Sequence, residues 1–348
     1  MKNPCVRQWA VIAIAVSTAH VAVSLAAQRV PPKDALAVAP IEAILEAFRT
    51  YPVVGLGEGP HGNEQGHAFR LALIRDPRFA ASVQDIVVEG GSARYQDLMD
   101  RFIRGEDVPD VAMREVRENT VIATPAWDRA IYGEFFQAVR AVNASLSSDR
   151  QLRVLLGDPP IDWSTVRTRD EYLPWLSQRD AYPADLIRRE VIARNRRALV
   201  IYGDGHYQAK TERPGRSMAG ILESAGVRTF TITSTFADLS SFQSGMAALR
   251  LPSFALLRGT RLAEVPYERL FGPPPPTPYF RANSTIGDHY DALLYLGPAS
   301  SRTIAPLSYP RCADPEYVRM RVGRMLLAGS PATIAGQLAA ECAVAAPR

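Results

Sequence analysis

Two glycine-rich stretches each place an acidic residue beside a histidine. Residues 57–62 read Gly-Glu-Gly-Pro-His-Gly, and residues 203–206 read Gly-Asp-Gly-His. A neutral imidazole can act as a general base near pH 7, and a carboxylate bound to one ring nitrogen fixes its tautomer. Glu58 and His61 can therefore activate a water molecule for attack on an ester or a similar acyl bond. We predict Glu58, His61 and His206 as the catalytic residues.

Acidic residues also follow two further apolar runs. Glu89 ends the run 86–89, and Asp158 follows the run 152–156. The carboxyl ends of parallel strands meet at one edge of a sheet, where ligands bind. We therefore expect both carboxylates to lie beside the Glu58–His61 turn.

Short apolar runs alternate with helical patterns over most of the chain. This alternation is typical of βαβ units. The predicted fold class is α/β, with a mostly parallel central sheet and helices on both faces. Strands are predicted at residues 52–56, 86–89, 152–156, 198–202, 228–232, 254–257 and 292–296. Helices are predicted at 41–49, 61–75, 93–104, 127–146 and 170–194, the last of them interrupted near Pro174 and Pro183.

Several site residues also have structural interpretations. Glu58 could cap the following helix or pair with Arg70, and His61 could be a structural histidine. Arg70 could instead reach an anion or pair with Glu89, and Asp158 could be only a turn residue before two prolines. A position near a helix start would disfavour the imidazolium form of His61.

Signatures of other chemistries are missing from the sequence. It has no Gly-x-Ser-x-Gly elbow, Walker loop, His-Glu-x-x-His helix or Gly-x-Gly-x-x-Gly fingerprint. His61, Glu64 and His67 follow one another at intervals of three, which drifts around a helix, so no metal site is predicted there. Water is the expected nucleophile.

The N-terminus indicates export. Lys2 and Arg7 precede an apolar run, residues 9–27, that ends in small residues. We interpret residues 1–27 as a signal peptide, the alternative being a retained anchor, and residues 28–348 as one domain in the periplasm or outside the cell. No second run is long enough to span a membrane, so no stable membrane insertion is expected after cleavage.

The Pro-rich tract 272–278, in a less regular C-terminal part, is predicted to be a surface loop or a flap over a pocket.

The charge and the cysteines limit the partners. The formal net charge of +4 falls to about +2 when Lys2 and Arg7 are removed, which does not indicate nucleic acid as a partner. A small molecule is the expected substrate or ligand, and the oligomeric state stays open. Cys312 and Cys342 can form a disulfide after export, or remain two buried thiols.

The chemistry-bearing stretches resemble those of the erythromycin esterase family. Residues 56–64 are similar to its Gly-Glu-x-x-His-Gly signature with a following glutamate, here Glu64. Further similarity is found in a strand ending at Glu89 and a late strand leading to His206. The helix pattern of the family is matched by Trp127, Glu134, Arg140 and Asn143. Two of its short strand motifs are matched by residues 156–158 and 291–296.

This resemblance implies an erythromycin esterase/ChaN-like fold and a probable hydrolase without a cofactor. His61 would be the base supported by Glu58, and the predicted substrate-binding residues are Arg70, Glu89, Glu64, Asp158 and Trp127. Pro60 departs from the esterase pattern, and the short chain leaves little helical cap, so a macrolide is not the expected substrate.

Two related branches provide alternatives. Residues 95–106 resemble the ChaN-like haem-binding proteins, which would make haem the ligand, held by Tyr95, His61 or His206. The more distant TraB- and Tiki-like proteins would imply a metal-dependent protease.

Overall fold

The carboxyl-end site predicted above lies on an eight-stranded sheet. A computed structural model describes residues 32–208, 216–239, 250–272 and 283–345. In these ranges the strand order is β1-β7-β8-β6-β2-β5-β3-β4. The strands are β1 (Ala37–Val38), β2 (Val53–Gly57), β3 (Asp85–Ser92), β4 (Arg153–Asp158), β5 (Ala198–Tyr202), β6 (Thr229–Thr235), β7 (Ser253–Leu256) and β8 (Ala292–Tyr295).

Strand direction divides the sheet into two parts. The pairs β2–β5, β2–β6, β3–β4, β3–β5 and β6–β8 are parallel. Only the β1–β7–β8 edge is antiparallel in the described part of the chain. The parallel strands β2, β5, β3 and β4 are therefore direct neighbours, and their carboxyl ends share one edge.

Helices connect and cover these strands. They are α1 (Pro40–Ala47), α2 (Glu64–Arg75), α3 (Pro77–Ser82), α4 (Gln96–Ile103), α5 (Asp110–Glu118), α6 (Ala130–Ala144), α7 (Arg169–Ser177), α8 (Ala181–Glu190), α9 (Met218–Ser224), α10 (Tyr267–Phe271), α11 (Tyr309–Cys312), α12 (Pro315–Leu327) and α13 (Ile334–Ala345).

Alternating strand residues build a core on each face of the sheet. In β3, Ile86 and Val88 face a core shared with Phe136 of α6, whereas Val87 faces a core shared with Leu186 of α8. Since successive side chains of a strand point to opposite faces, helices are needed on both. The predicted α/β class with a mostly parallel sheet and two helical layers is confirmed.

Element boundaries differ from the predicted ones by a few residues. The helix predicted from residue 61 begins at Glu64, because Asn63 accepts a hydrogen bond from the backbone of Gly66 and caps it. The interruption predicted within 170–194 is confirmed, but it lies between the two prolines, where Arg179 and Asp180 separate α7 from α8.

The C-terminal part contains three helices and a disulfide. Cys312 of α11 and Cys342 of α13 are bonded, with their Cα atoms 5.1 Å apart, so the disulfide alternative is confirmed. All the named helices and strands belong to one compact unit, residues 33–348. The predicted signal peptide and most of the Pro-rich tract, residues 273–278, lie outside the described residues. Within the described residues, no helix has the length and apolarity to span a bilayer.

Candidate functional site

The turn from β2 into α2 is fixed by two glycines, by its own Asn63 side chain and by Asp204. Gly59 and Gly62 have φ values of +64° and +79°, which explains the glycines at these positions. The Asn63 side chain donates to the carbonyl oxygens of Glu58 and Pro60, both at 2.7 Å. Asp204, after β5, accepts from the backbone N–H of Gly59 at 2.7 Å. The turn therefore presents its two reactive side chains in one defined geometry.

Glu58 and His61 form the predicted pair. Glu58 Oε2 lies 2.9 Å from His61 Nδ1, and its Oε1 lies 3.3 Å from Nη1 of Arg70. Glu58 and Arg70 are buried, whereas the His61 side chain is 36% exposed. Nδ1 is thus held by the carboxylate, and Nε2 is left to meet a ligand. Of the two structural alternatives for Glu58, the pairing with Arg70 is confirmed, whereas the capping of the helix is wrong, because Asn63 is the cap.

Glu89 is the centre of the second half of the site. Its Oε2 accepts from the backbone N–H of Gly203 at 2.7 Å. Its Oε1 contacts both Nη2 of Arg179 and, at 3.3 Å, Nε2 of His206. The suggested pairing of Arg70 with Glu89 is wrong, because Arg70 binds Glu58 and Arg179 occupies Glu89.

His206 has its own orienting carboxylate. Its Nδ1 lies 2.8 Å from Oδ1 of Asp180, which also accepts from the backbone N–H of Met218 at 2.8 Å. The site therefore contains two histidines, each bound through Nδ1 to a carboxylate. The two histidines come from distant parts of the sequence, and both lie close to Glu89.

His61 faces the same centre. One ligand atom each from Glu58, His61 and Glu89 lie within 4.8 Å of one another. A Cβ atom on Gly203 would meet Cε1 of His61 at 3.2 Å and Oε2 of Glu89 at 3.4 Å, so only glycine fits there without displacement. The two glycine-rich stretches singled out in the sequence are in contact.

Charges around the rings change their titration. Burial opposes protonation of His61, but the hydrogen bond to Glu58 and the charge of Glu89 outweigh it and raise the pKa of His61. The expectation that the helix start would favour the neutral ring is wrong, because these carboxylates dominate. Burial also opposes charge on His206, but Asp180 and Glu89 raise the pKa of His206 to about 9. At pH 7 His206 is therefore an imidazolium.

Glu89 stays ionised in spite of its burial. Burial favours its neutral form, but His206 and Arg179 hold the pKa of Glu89 far below its ordinary value. Arg179 Nη2 and His206 Nε2 converge on the same oxygen, so both are best described as donors to Glu89.

Trp127 and Asp158 are both buried at the border of the site. The Trp127 ring lies 4.4 Å from that of His61 in an edge-to-face arrangement. Asp158 accepts from the backbone N–H of Val121 at 2.6 Å, and its other oxygen has no hydrogen-bond partner. Burial raises the pKa of Asp158 to about 8. Trp127 therefore packs against His61, the predicted base. Asp158 contacts Val121, which lies in the segment that leads to Trp127.

Glu64 is exposed at the first residue of α2 and makes none of these contacts. His67 binds Glu134 at 3.2 Å, so His61, Glu64 and His67 do not form a cluster. Among the described residues, the group with metal-ligand spacing is Glu58, His61 and Glu89. Arg70, Arg179 and His206 already neutralise its two carboxylates, and a divalent cation would have to compete with them.

The described contacts do not group Tyr95 with the two histidines that were suggested as haem ligands. The Tyr95 hydroxyl accepts from the side chain of Asn119 at 2.9 Å. Both ring nitrogens of His206 contact carboxylates. Of the three, His61 is the residue with a ring nitrogen left for a ligand, and haem remains a prediction.

An apolar groove of about 900 Å³ lies elsewhere. It is lined by Val38, Ile41, Ala72 and Leu251 among others, and by none of the catalytic candidates. We place the functional site at Glu58, His61, Glu89, Arg179, Asp180 and His206 because the polar chemistry is concentrated there.

Sequence reasoning did not identify Arg179 and Asp180. They lie in a stretch with helical periodicity, next to other charged residues that are solvent-exposed. The two prolines at 174 and 183 indicated an interruption, but nothing indicated that the break points into the site. Asp204 was noticed only as the neighbour of His206, and its contact with Gly59 depends on the pairing of β2 with β5.

Comparison with known proteins identifies the fold. No protein-family model and no curated protein sequence matches the chain significantly. A solved succinoglycan biosynthesis protein matches with a TM-score of 0.56 at 11% identity, over 76% of this chain and 94% of its own. A variant of the erythromycin esterase EreC in its open conformation matches with a TM-score of 0.52 at 13% identity, over the same shares. The chain has the erythromycin esterase-like fold.

A haem-bound ChaN of Campylobacter jejuni is also similar, at 13% identity over 57% of this chain and 87% of its own. Its TM-score of 0.38 supports no further conclusion. The structural neighbours of this chain thus include an esterase and a haem-binding protein. The two matches with TM-scores above 0.5 show the fold, and the resemblance inferred from residues 56–64 is confirmed at that level.

Proposed function

We propose that this protein is an exported hydrolase that activates water with Glu58 and His61 to cleave an ester or a similar acyl bond. The observation that carries the proposal is the pair of oriented histidines. His61 and His206 each bind a carboxylate through Nδ1, at 2.9 and 2.8 Å, and both approach Glu89. The esterase activity named for the structural neighbour EreC is consistent with this chemistry.

The two histidine rings differ in solvent exposure and in protonation state. His61 is partly exposed, and its Nε2 can accept a proton from water once the ring is neutral. His206 is charged at pH 7 and lies beside Arg179. One ring is therefore suited to act as a base, and the neighbouring cations are suited to stabilise negative charge that develops on a substrate oxygen.

The reaction follows from these roles. His61 Nε2 removes a proton from water as the water oxygen bonds to the acyl carbon. The carbonyl oxygen gains the negative charge, which the positive charges of His206 and Arg179 stabilise electrostatically while both groups stay bound to Glu89. When the carbon–oxygen bond to the leaving group breaks, the proton on His61 passes to the leaving oxygen. The products are a carboxylic acid and an alcohol, and His61 is neutral again.

A panel of acyl esters of increasing chain length tests the proposal. The purified mature chain is assayed at pH 8, with and without a metal chelator, and His61→Gln measures the background. We expect hydrolysis of at least one ester that the chelator does not reduce. Absence of turnover across the panel, together with a stoichiometric Soret shift on haem titration, would replace the hydrolase by the haem-binding alternative. Turnover that the chelator abolishes and Zn²⁺ or Mn²⁺ restores would favour the metal-dependent alternative.

A further inference from the structure

The C-terminal helices α11–α13 contact a segment that leads directly to the site. This segment, residues 118–128, connects α5 towards α6 and contains Trp127. The disulfide Cys312–Cys342 joins α11 to α13, so that α12 lies between two cross-linked helices. Four side chains of the C-terminal helices donate hydrogen bonds to segment 118–128: Arg311, Tyr317, Arg321 and Arg324.

The strongest of these contacts is a buried ion pair. Arg321 and Asp128 are 0% and 4% exposed. Arg321 Nε donates to Asp128 Oδ2 at 2.6 Å, and Nη2 donates to the other carboxylate oxygen. The Tyr317 hydroxyl also donates to Asp128. Because a buried carboxylate without its partner is strongly disfavoured, Asp128 stays in place only while α12 is docked.

A second pair secures the start of the segment. Arg311 binds both oxygens of Glu118 at 2.8 Å, in a bidentate arrangement. Arg324 donates to the Glu118 carbonyl oxygen at 2.9 Å. The segment is therefore held by α11 and α12 at both of its ends.

Trp127 transmits this anchoring to the site. It precedes Asp128, is 1% exposed, and covers Gly90 of β3 as well as the ring of His61. Its carbonyl oxygen accepts from Arg117 at 2.9 Å. Because Trp127 and Asp128 are adjacent in the chain, the position of the indole against His61 depends on the position of the Asp128 backbone.

We propose that helices α11–α13 are a positioning element of the site, which holds Trp127 against His61 through the Asp128–Arg321 pair and is itself held together by the Cys312–Cys342 disulfide. The role assigned to His61 rests on the proposed function, but the contact can be measured without any activity. Arg321 and Asp128 act through Trp127 and are positioning residues.

Proton NMR of the His61 ring tests the proposal. An aromatic ring at this distance shifts the resonances of the protons beside it, so the His61 signals report on Trp127. Trp127→Leu gives the signal positions without the indole, and His61→Gln assigns the signals. The test variant is Asp128→Asn/Arg321→Met, which removes both charges together. Asp85→Asn/Arg196→Met removes another buried aspartate, at the opposite edge of the sheet, together with one of its two arginine partners, and is the control.

We expect the test variant to move the His61 signals most of the way to their positions in Trp127→Leu, while the control leaves them unchanged. A folded test variant whose His61 signals coincide with those of the parent protein would overturn the proposal. If the test variant does not fold, Cys312→Ala/Cys342→Ala is measured in the same way. A shift in the same direction supports the proposal, and unchanged signals contradict it. None of these outcomes depends on whether an ester is hydrolysed.

Discussion

Glu89 Oε1 lies 3.3 Å from Nε2 of His206, at the carboxyl edge of the parallel sheet. The same carboxylate is close to His61, so one buried anion connects the two histidines of the site. Each ring is bound on its other side by a separate carboxylate, Glu58 or Asp180. The carboxylates around each ring raise the pKa of both histidines, and these shifts predict how the activity depends on pH.

The first prediction concerns the alkaline side of the pH–rate profile. The pKa of His206 is raised to about 9, so the imidazolium is lost and ester hydrolysis falls as the pH rises through this value. Asp180 contributes to the increase, so Asp180→Asn should move the alkaline decline to lower pH. The measurement is kcat/KM against pH for the best ester of the panel. An unchanged alkaline limb in His206→Gln would show that another group is responsible.

The second prediction concerns Glu58→Gln. Glu58 raises the pKa of His61, so the substitution should lower that pKa and move the acidic limb of the profile to lower pH. The neutral amide supports the developing imidazolium less well, and kcat should fall roughly 10²-fold. The substitution also leaves Arg70 buried without its counter-ion, which costs about 3–5 kcal/mol of unfolding free energy.

A double variant separates these two effects of Glu58. Glu58→Gln/Arg70→Met removes both charges and should recover much of the lost stability without recovering activity. Stability is measured by urea unfolding. Recovery of activity in the double variant would mean that Glu58 acts on the fold and not on His61.

The third prediction concerns Asp158 and stability. Burial raises the pKa of Asp158 from its ordinary 3.8 to about 8, so the folded state binds a proton that the unfolded state releases in this range. The contribution of Asp158 is full below about pH 4 and is lost as the pH rises towards about 8. The loss is at most about 1.4 kcal/mol per pH unit.

Asp158→Asn should remove this dependence, because an amide still accepts from the Val121 backbone and does not ionise. Urea unfolding of the parent and the variant at pH 5 and pH 8 checks it. We expect the variant to be more stable than the parent at pH 8 by a larger margin than at pH 5. An identical pH dependence in both proteins would contradict the assignment.

The sequence was informative where local pattern determines structure. Apolar runs predicted seven of the eight described strands, because a buried parallel strand needs apolar side chains on both faces. The missing strand is β1, which has only two residues, Ala37 and Val38, and depends on pairing with β7. The glycines around Glu58 and His206 indicated the site because tight turns and close contacts favour glycine.

The partner of each charged group could not be predicted in the same way. The sequence left Arg70 with Glu58 or Glu89 as possible partners and did not indicate Arg179, and the fold decides that Arg70 binds Glu58 while Arg179 binds Glu89. Likewise, the distance in sequence between Asp128 and Arg321 gives no hint of their contact. Such pairs are determined by tertiary packing, which periodicity and composition do not encode.

The central claim is that His61 removes a proton from the attacking water. The most direct test is the kcat/KM of His61→Gln relative to the parent protein for the best ester, with Asp85→Asn/Arg196→Met assayed beside it as a control remote from the site. The account predicts a loss of roughly 10²- to 10⁴-fold for His61→Gln and no comparable loss for the control. Equal rates for the parent and a folded His61→Gln protein would contradict it.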